Sequence, residues 1–171
     1  MSIRSRRCIV PLLAALALAA WLPGTSVEAQ TETETKKPAR VVRKAPPAKA
    51  VHKVAIQVSD NDKGQMNLAL NNAKNIIDYF KEKGEPVAIE IVAYGPGLHM
   101  FRTDTSPVKD RIAPMALEHP NLKFIACGNT QANQSKAEGK QVSLISEATV
   151  VPAGVVRLME LQKQGYAYIR P

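Results

Sequence analysis

Cysteine is scarce in this 171-residue sequence: there are two, Cys8 and Cys127. A framework of several disulfides is therefore excluded. Aromatic residues amount to 5%, with three Phe, four Tyr and one Trp. That is too few for the stacking platforms that bind single-stranded nucleic acid. The apolar run from Cys8 to Leu22 spans 15 residues, short of the roughly 20 that a membrane-crossing helix needs. No G-x-G-x-x-G or G-K-[ST] nucleotide fingerprint occurs, and no G-x-S-x-G elbow. The acidic residues are scattered, which gives no support to a paired-carboxylate hydrolase. His52, His99 and His119 show no metal-ligand spacing, so no zinc site is expected. Asp60, Asp62 and Gly64 resemble the opening of a calcium loop, but its central acid and terminal glutamate are missing. No metal and no organic cofactor is expected.

The net charge of +8 is unevenly distributed. Residues 1–29 carry three basic groups and one acid, and residues 30–50 carry six and two. Residues 51–171 keep 14 basic and 12 acidic groups, a net of +2. A near-neutral globular part has no electrostatic footprint for a phosphate backbone, so no nucleic-acid partner is expected.

The basic stretch Ser2–Arg7, the apolar core Cys8–Leu22 and the small residues closing Val27-Glu28-Ala29 read as a secretory signal cleaved after Ala29. The expected location is the periplasm or the exterior. Cleavage removes Cys8 and leaves Cys127 as the sole thiol. Residues 30–50, QTETETKKPARVVRKAPPAKA, read as a flexible basic linker. Membrane contact is expected only through the signal or this linker. The domain itself is placed at residues 51–171.

Within that domain, strand-length apolar runs alternate with amphipathic helical runs. Residues 53–59, 87–94, 122–127, 149–151 and 166–169 read as strands. Met66, Leu70, Ala73, Ile77 and Phe80 mark one face of a first helix. Ser106-Pro107 reads as the start of a second helix, with Val108, Ile112, Met115 and Ala116 on its apolar face. A polar helix follows Asn129 or Thr130. Residues 140–151 are ambiguous, because Val142, Leu144 and Ile145 also fit a helical turn. A last helix opens at Pro152, with Val155, Leu158, Met159 and Gln162 on one side. The pattern predicts an α/β layered sandwich around a central, mainly parallel sheet of about five strands.

In such a sheet ligands bind beyond the carboxyl ends of the strands. Three ends carry informative residues: Ser59-Asp60, Gly95-Pro96-Gly97 and Cys127-Gly128-Asn129-Thr130. Cys127 closes a strand just before a helix start, where unpaired N–H groups favour a thiolate. Gly128 leaves the approach to sulfur free of a side chain. His99, after the second strand, is a candidate base or hydrogen-bond partner. Placement alone leaves two readings of Cys127 open, a reactive thiol or a small buried hydrophobe. Asn67, Asn71 and Asn75 lie at i, i+4 steps on the first helix, an unusual choice for a solvated face. They predict contacts to another element or another subunit.

The segments VAIQVS, LALNNAKNIIDYF, VAIEIVAYGPGLHMF, LKFIACGNT and VVPAGVVRLMELQKQGYAYIRP together resemble the DsrE/DsrF-like family, specifically its small exported members. The resemblance covers residues 51–171. It implies a compact α/β fold, a homo-oligomer (trimer or hexamer), and sulfane sulfur carried as a persulfide on one cysteine in a sulfur relay between protein thiols. Cys127 stands at the family's cysteine corner. The resemblance therefore implies a sulfur carrier or sulfurtransferase-like protein. Gly128, Asn129 and Thr130 would shape the thiolate site, and Gly95, Gly97 and His99 the opposite wall. The alternative is a non-catalytic ligand-binding or assembly module in which Cys127 is structural.

Overall fold

A computed structural model describes residues 49–171 of the chain. The signal with its cleavage after Ala29, Cys8, and the linker up to residue 48 lie outside the described residues. The elements run in chain order as β1 (His52–Val58), α1 (Lys63–Glu82), β2 (Val87–Ala93), a 3-10 helix (Gly95–Phe101) and α2 (Lys109–Glu118). They continue as β3 (Leu122–Cys127), α3 (Gly128–Glu138), β4 (Ala148–Val151), α4 (Gly154–Lys163) and β5 (Ala167–Ile169). The five strands form one sheet in the order β4-β3-β2-β1-β5, and every pair is parallel.

Side-chain alternation divides the sheet into two faces. Val54, Ile56, Val58, Ile89, Ile91, Phe124 and Ala126 share one face, and they pack with Met66, Leu70, Ala73 and Ile77 of α1 and Ile112 of α2. Ala55, Val92 and Ile125 share the other and pack with Leu158 and Leu161 of α4. Burial on both faces explains why the central strands read as near-continuous apolar runs. Asp62 caps α1, its side chain accepting from the Gln65 N–H at 2.7 Å.

Three elements depart from the sequence expectation. Helix α2 begins at Lys109 rather than at Ser106-Pro107. The Ser106 hydroxyl donates to the Met100 carbonyl and accepts from the Val108 N–H, which closes a turn ahead of the helix. Residues 142–145 form no helical turn. Leu144 bridges Arg102 in antiparallel fashion, and Thr103 and Ile145 complete the pairing with this segment. Helix α4 starts at Gly154 and buries Leu158 and Leu161, while Val155 and Met159 are exposed. The i, i+3 pair that meets the sheet decides its orientation, not the longer apolar stripe.

Helix α3 is polar, as its sequence indicates, and buries no residue. Polar bonds fasten it instead. Arg102, itself 1% exposed, bonds Glu138 and Gln134 of α3 as well as Asp104. Gln131 donates to the Val142 carbonyl, and Ser135 accepts from the Val142 N–H. The helix ends at Gly139, in the left-handed region at φ 64°. Asn67 and Asn71 of α1 are also explained within the chain, whereas Asn75 is exposed and bonds no other element among the described residues. Arg111 of α2 donates to Oδ1 of both Asn67 and Asn71, so these amides join two elements.

Candidate active site around Cys127

Because all five strands are parallel, their carboxyl ends share one edge. Ser59-Asp60, Tyr94-Gly95, Cys127-Gly128, Pro152-Ala153 and Arg170 meet there. Cys127 ends β3 and shares the α4 face with Ile125. It also occupies the N-cap position of α3. The first turns of α3 and α4 lie beside its sulfur, with the Thr130 hydroxyl and the Gly154, Thr130 and Asn129 N–H groups as the nearby donors. Two helix N-termini therefore meet at one sulfur. The residue is 5% exposed. Burial pushes the Cys127 thiol up, and the nearby donors together outweigh it, holding the thiol below its ordinary value.

Close packing brings α4 to the sulfur. A Cβ at Gly154 would stand 3.2 Å from the Cβ of Cys127 and 3.2 Å from the Cβ of Tyr94. Only glycine lets the first turn of α4 approach both strands. Tyr94 thus flanks Cys127, and burial pushes its phenol up, which keeps the hydroxyl protonated. Around Tyr94 stand Tyr168, whose hydroxyl bonds Gln57, and the Asp60–Arg170 pair at 3.5 Å.

The other expected residues fall into distinct places. Gly95, His99 and Thr130 line one cleft of about 460 Å³, together with Pro96, Asn133, Gln134 and Ala137. Neither Cys127 nor Gly97 lines it. Within it the Thr130 hydroxyl accepts from the Gly95 N–H at 3.0 Å. His99 Nδ1 stands 2.7 Å from the Thr105 hydroxyl and the ring makes no hydrogen bond to Cys127. Gly97 forms no wall: a Cβ there would lie 2.3 Å from the Val58 carbonyl oxygen, so its smallness serves packing on β1. Gly128 does not leave an open approach either. The space beside its Cα is occupied by Val150 Cγ1 and the Val151 carbonyl, each 3.1 Å from where a Cβ would stand. An apolar groove of about 260 Å³ runs along Val151, Pro152, Ala153 and Val156, and Val151 pairs with Cys127 in register. A larger cleft, about 670 Å³, lies among Lys81, Glu85, Pro86 and His119 at the opposite edge of the sheet. It contains no nucleophile from the cysteine corner.

Tyr94 and Gly154 are the site residues that strand-end reasoning does not single out. Both stand inside segments that carry the family resemblance, but their meeting requires the return of α4 over the sheet. Among the described residues no group of three or more His, Cys, Asp or Glu is placed to hold a metal ion.

Comparison with known proteins agrees with this architecture. The model of the DsrE/DsrF-like family matches residues 52–171. A solved structure, that of the protein of unknown function MTH1491 from Methanobacterium thermoautotrophicum, is similar at 29% identity and a TM-score of 0.58. The similarity covers 70% of this chain and 99% of that one. No curated protein matches. With the family match spanning the whole sheet and its cysteine corner, the chain belongs to the DsrE/DsrF-like family.

Proposed function

We propose that this protein carries sulfane sulfur as a persulfide on Cys127, as an exported member of a sulfur relay. The observation that carries the reading is the place of Cys127, at the N-cap of α3 and packed against the first turn of α4, so that two helix N-termini face one sulfur. Such termini stabilise a thiolate, and a thiolate is the nucleophile for exchange at sulfur. Loading proceeds by attack of the Cys127 thiolate on the outer sulfur of a persulfide donor. The new S–S bond forms as the donor's own S–S bond breaks, and the donor leaves as a thiolate. Unloading reverses the roles: an acceptor thiolate takes the outer sulfur and Cys127 leaves as thiolate. A low thiol pKa favours that departure. Neither step needs a metal or a change in overall oxidation level. Family membership supports the same reading. The donor and acceptor are proposed to be protein thiols, the location the periplasm or exterior, and the working form a homo-oligomer.

The second reading, a non-catalytic module with a structural cysteine, draws on the 5% exposure of Cys127. One experiment separates the two. The intact mass of purified residues 30–171 is measured before and after exposure to polysulfide, beside a Cys127→Ser variant. A gain of sulfur mass that reductant reverses, in the wild type alone, is the expected result. No gain, with a thiol that resists alkylation in the folded protein, establishes the structural reading.

A further inference from the structure

A carrier cysteine has to be reached by its donor, yet Cys127 is 5% exposed. The sheet sets the walls around it. Val151 of β4 pairs with Cys127 in register. On the other side Ala93 of β2 pairs with Ala126, which puts Tyr94 next to Cys127. Alternation along extended strands turns Tyr94, Cys127 and Val151 to the α4 face. Tyr94 and Val151 pack there against the cluster of Val92, Ile125, Leu158 and Leu161. Gly154 of α4 lies over them. A Cβ at Gly154 would stand 3.2 Å from the β-carbons of Cys127 and Tyr94, and 3.4 Å from Cδ1 of the Tyr94 ring.

Most of these walls are fixed. Val151 stands in the β4 ladder, and branching at its Cβ makes the side chain stiff. Gly154 is backbone in the first turn of a helix. The first turn of α3 is tied to the loop before α4, the Asn129 N–H donating to the Pro152 carbonyl at 3.1 Å. Tyr94 differs from the others. Its backbone is anchored, the N–H donating to the Val58 carbonyl at 3.2 Å. Its side chain is partly exposed, and its hydroxyl has no hydrogen-bond partner among the described residues. The side of Tyr94 away from Cys127 faces the carboxyl end of β1. There Asp60 and Arg170 form an open pair, with side chains 48% and 59% exposed. The ring has room to turn that way.

We propose that the Tyr94 side chain is the gate of Cys127 and sets which donors reach it: the ring closes the β2 side of the thiol, and its rotation toward Ser59-Asp60 opens a path to the sulfur. The gate rests on the reading of Cys127 as the reactive centre. The ring does the closing, because the hydroxyl bonds nothing that would hold it. With α4 and Val151 fixed, the opening is one side chain wide. It admits a persulfide borne on a slender, protruding end and excludes one set in a broad surface. Tyr94 is thereby a specificity-determining residue for the exchange at sulfur, without taking part in bond making.

The test compares two thiol reagents of different size, iodoacetamide and fluorescein-5-maleimide, on the full-length chain. Modification is followed at Cys127 by peptide mass, so that Cys8 does not contribute. The readout is the rate with the bulky reagent divided by the rate with the small one. A change in thiolate fraction affects both reagents alike and cancels in that ratio. A gate open about one-tenth of the time lowers an observed rate about tenfold. Tyr94→Ala is therefore expected to raise the bulky-reagent rate about tenfold and the iodoacetamide rate by less than about threefold. Tyr94→Phe keeps the ring and is expected to keep the wild-type ratio. If Tyr94→Ala does not fold, Tyr94→Leu supplies the comparison with a shorter apolar side chain. An unchanged ratio in Tyr94→Ala overturns the proposal, as does a ratio raised equally by Tyr94→Phe. A Cys127 that neither reagent reaches in any variant overturns it too. Sulfur loading is not the readout. A ratio that responds to Tyr94→Ala without any gain of sulfur mass defeats the carrier reading and leaves the gate standing, and the reverse pair of results defeats the gate alone.

Discussion

At Cys127 two effects oppose each other. Removing a thiolate from water disfavours it, while the nearby Thr130 hydroxyl and backbone N–H groups favour it, and here the donors prevail. Alkylation is therefore expected to reach half its maximal rate at a pH below that of a free cysteine, about 8.5. Stability carries the same information. A thiol with a lowered folded-state pKa contributes stability that is fully present above the unfolded-state value and lost as pH falls through the folded one. The stability of wild type minus that of Cys127→Ser is thus expected to increase as pH rises into the ordinary thiol range. Denaturant melts at several pH values measure it, and a flat difference would show that the fold does not favour the thiolate. Gly154 belongs to the same scale. Its Cβ would meet two β-carbons on adjacent strands, neither of which is a flexible side-chain end. Gly154→Ala is expected to cost about 1–3 kcal/mol in a denaturant melt and to shift the alkylation profile as α4 backs away.

Two helices show how differently an element can be held. Helix α4 covers its face of the sheet with Gly154, Leu158 and Leu161 buried beneath it, plus an ion pair between Arg157 and Glu90 at 2.6 Å. Glu90 sits in the middle of β2 at 3% exposure. Arg157→Met leaves that carboxylate without its partner. The expected loss is about 3 kcal/mol, the lower end of the range because the Arg157 side chain is 26% exposed. Adding Glu90→Gln should recover part of it. Helix α3 has no buried residue, and its attachment through Arg102 to Glu138 is electrostatic. Arg102 holds the carboxyls of Asp104 and Glu138 below the usual carboxylate range. Such groups contribute stability present above the unfolded carboxylate pKa, near 4, and lost as pH falls below it. Wild type is expected to lose stability more steeply than Arg102→Met between about pH 4 and pH 2. Equal slopes in the two proteins would remove Arg102 as the anchor of α3.

For the molecule as a whole, what sequence reveals follows the range of the interactions involved. The parallel α/β sandwich was legible because period-2 and period-3.6 patterns are local, and burial on both faces of the sheet writes them strongly into β1, β2, β3 and α1. The cysteine corner was legible because a strand end, a glycine and a helix start adjoin in the chain. Gly154 and Tyr94 were not, because they meet Cys127 only when α4 returns across the sheet. The polar fastening of α3 left no periodicity to read. Arg111, which accounts for Asn67 and Asn71, lies on another helix. Gly128 was read as leaving an open approach and Gly97 as lining a wall, where close packing accounts for both: Val150 and Val151 beside Gly128, the Val58 backbone beside Gly97. Export is a prediction at this scale: protein recovered from the periplasm or culture medium is expected to begin at Gln30, which amino-terminal sequencing checks.

The parallel sheet also separates the two ends of the domain. Strand β1 enters at the amino edge, beside the Lys49–Gly84 contact, whereas β5 delivers the carboxyl terminus to the edge that holds the sulfur, where Arg170 reaches Asp60. Seven residues of strand at about 3.3 Å each put roughly 20 Å between those edges. A handle fused after Pro171 would crowd the very surface a sulfur donor must approach. One fused ahead of residue 49 would join the domain at the far edge and leave that surface clear.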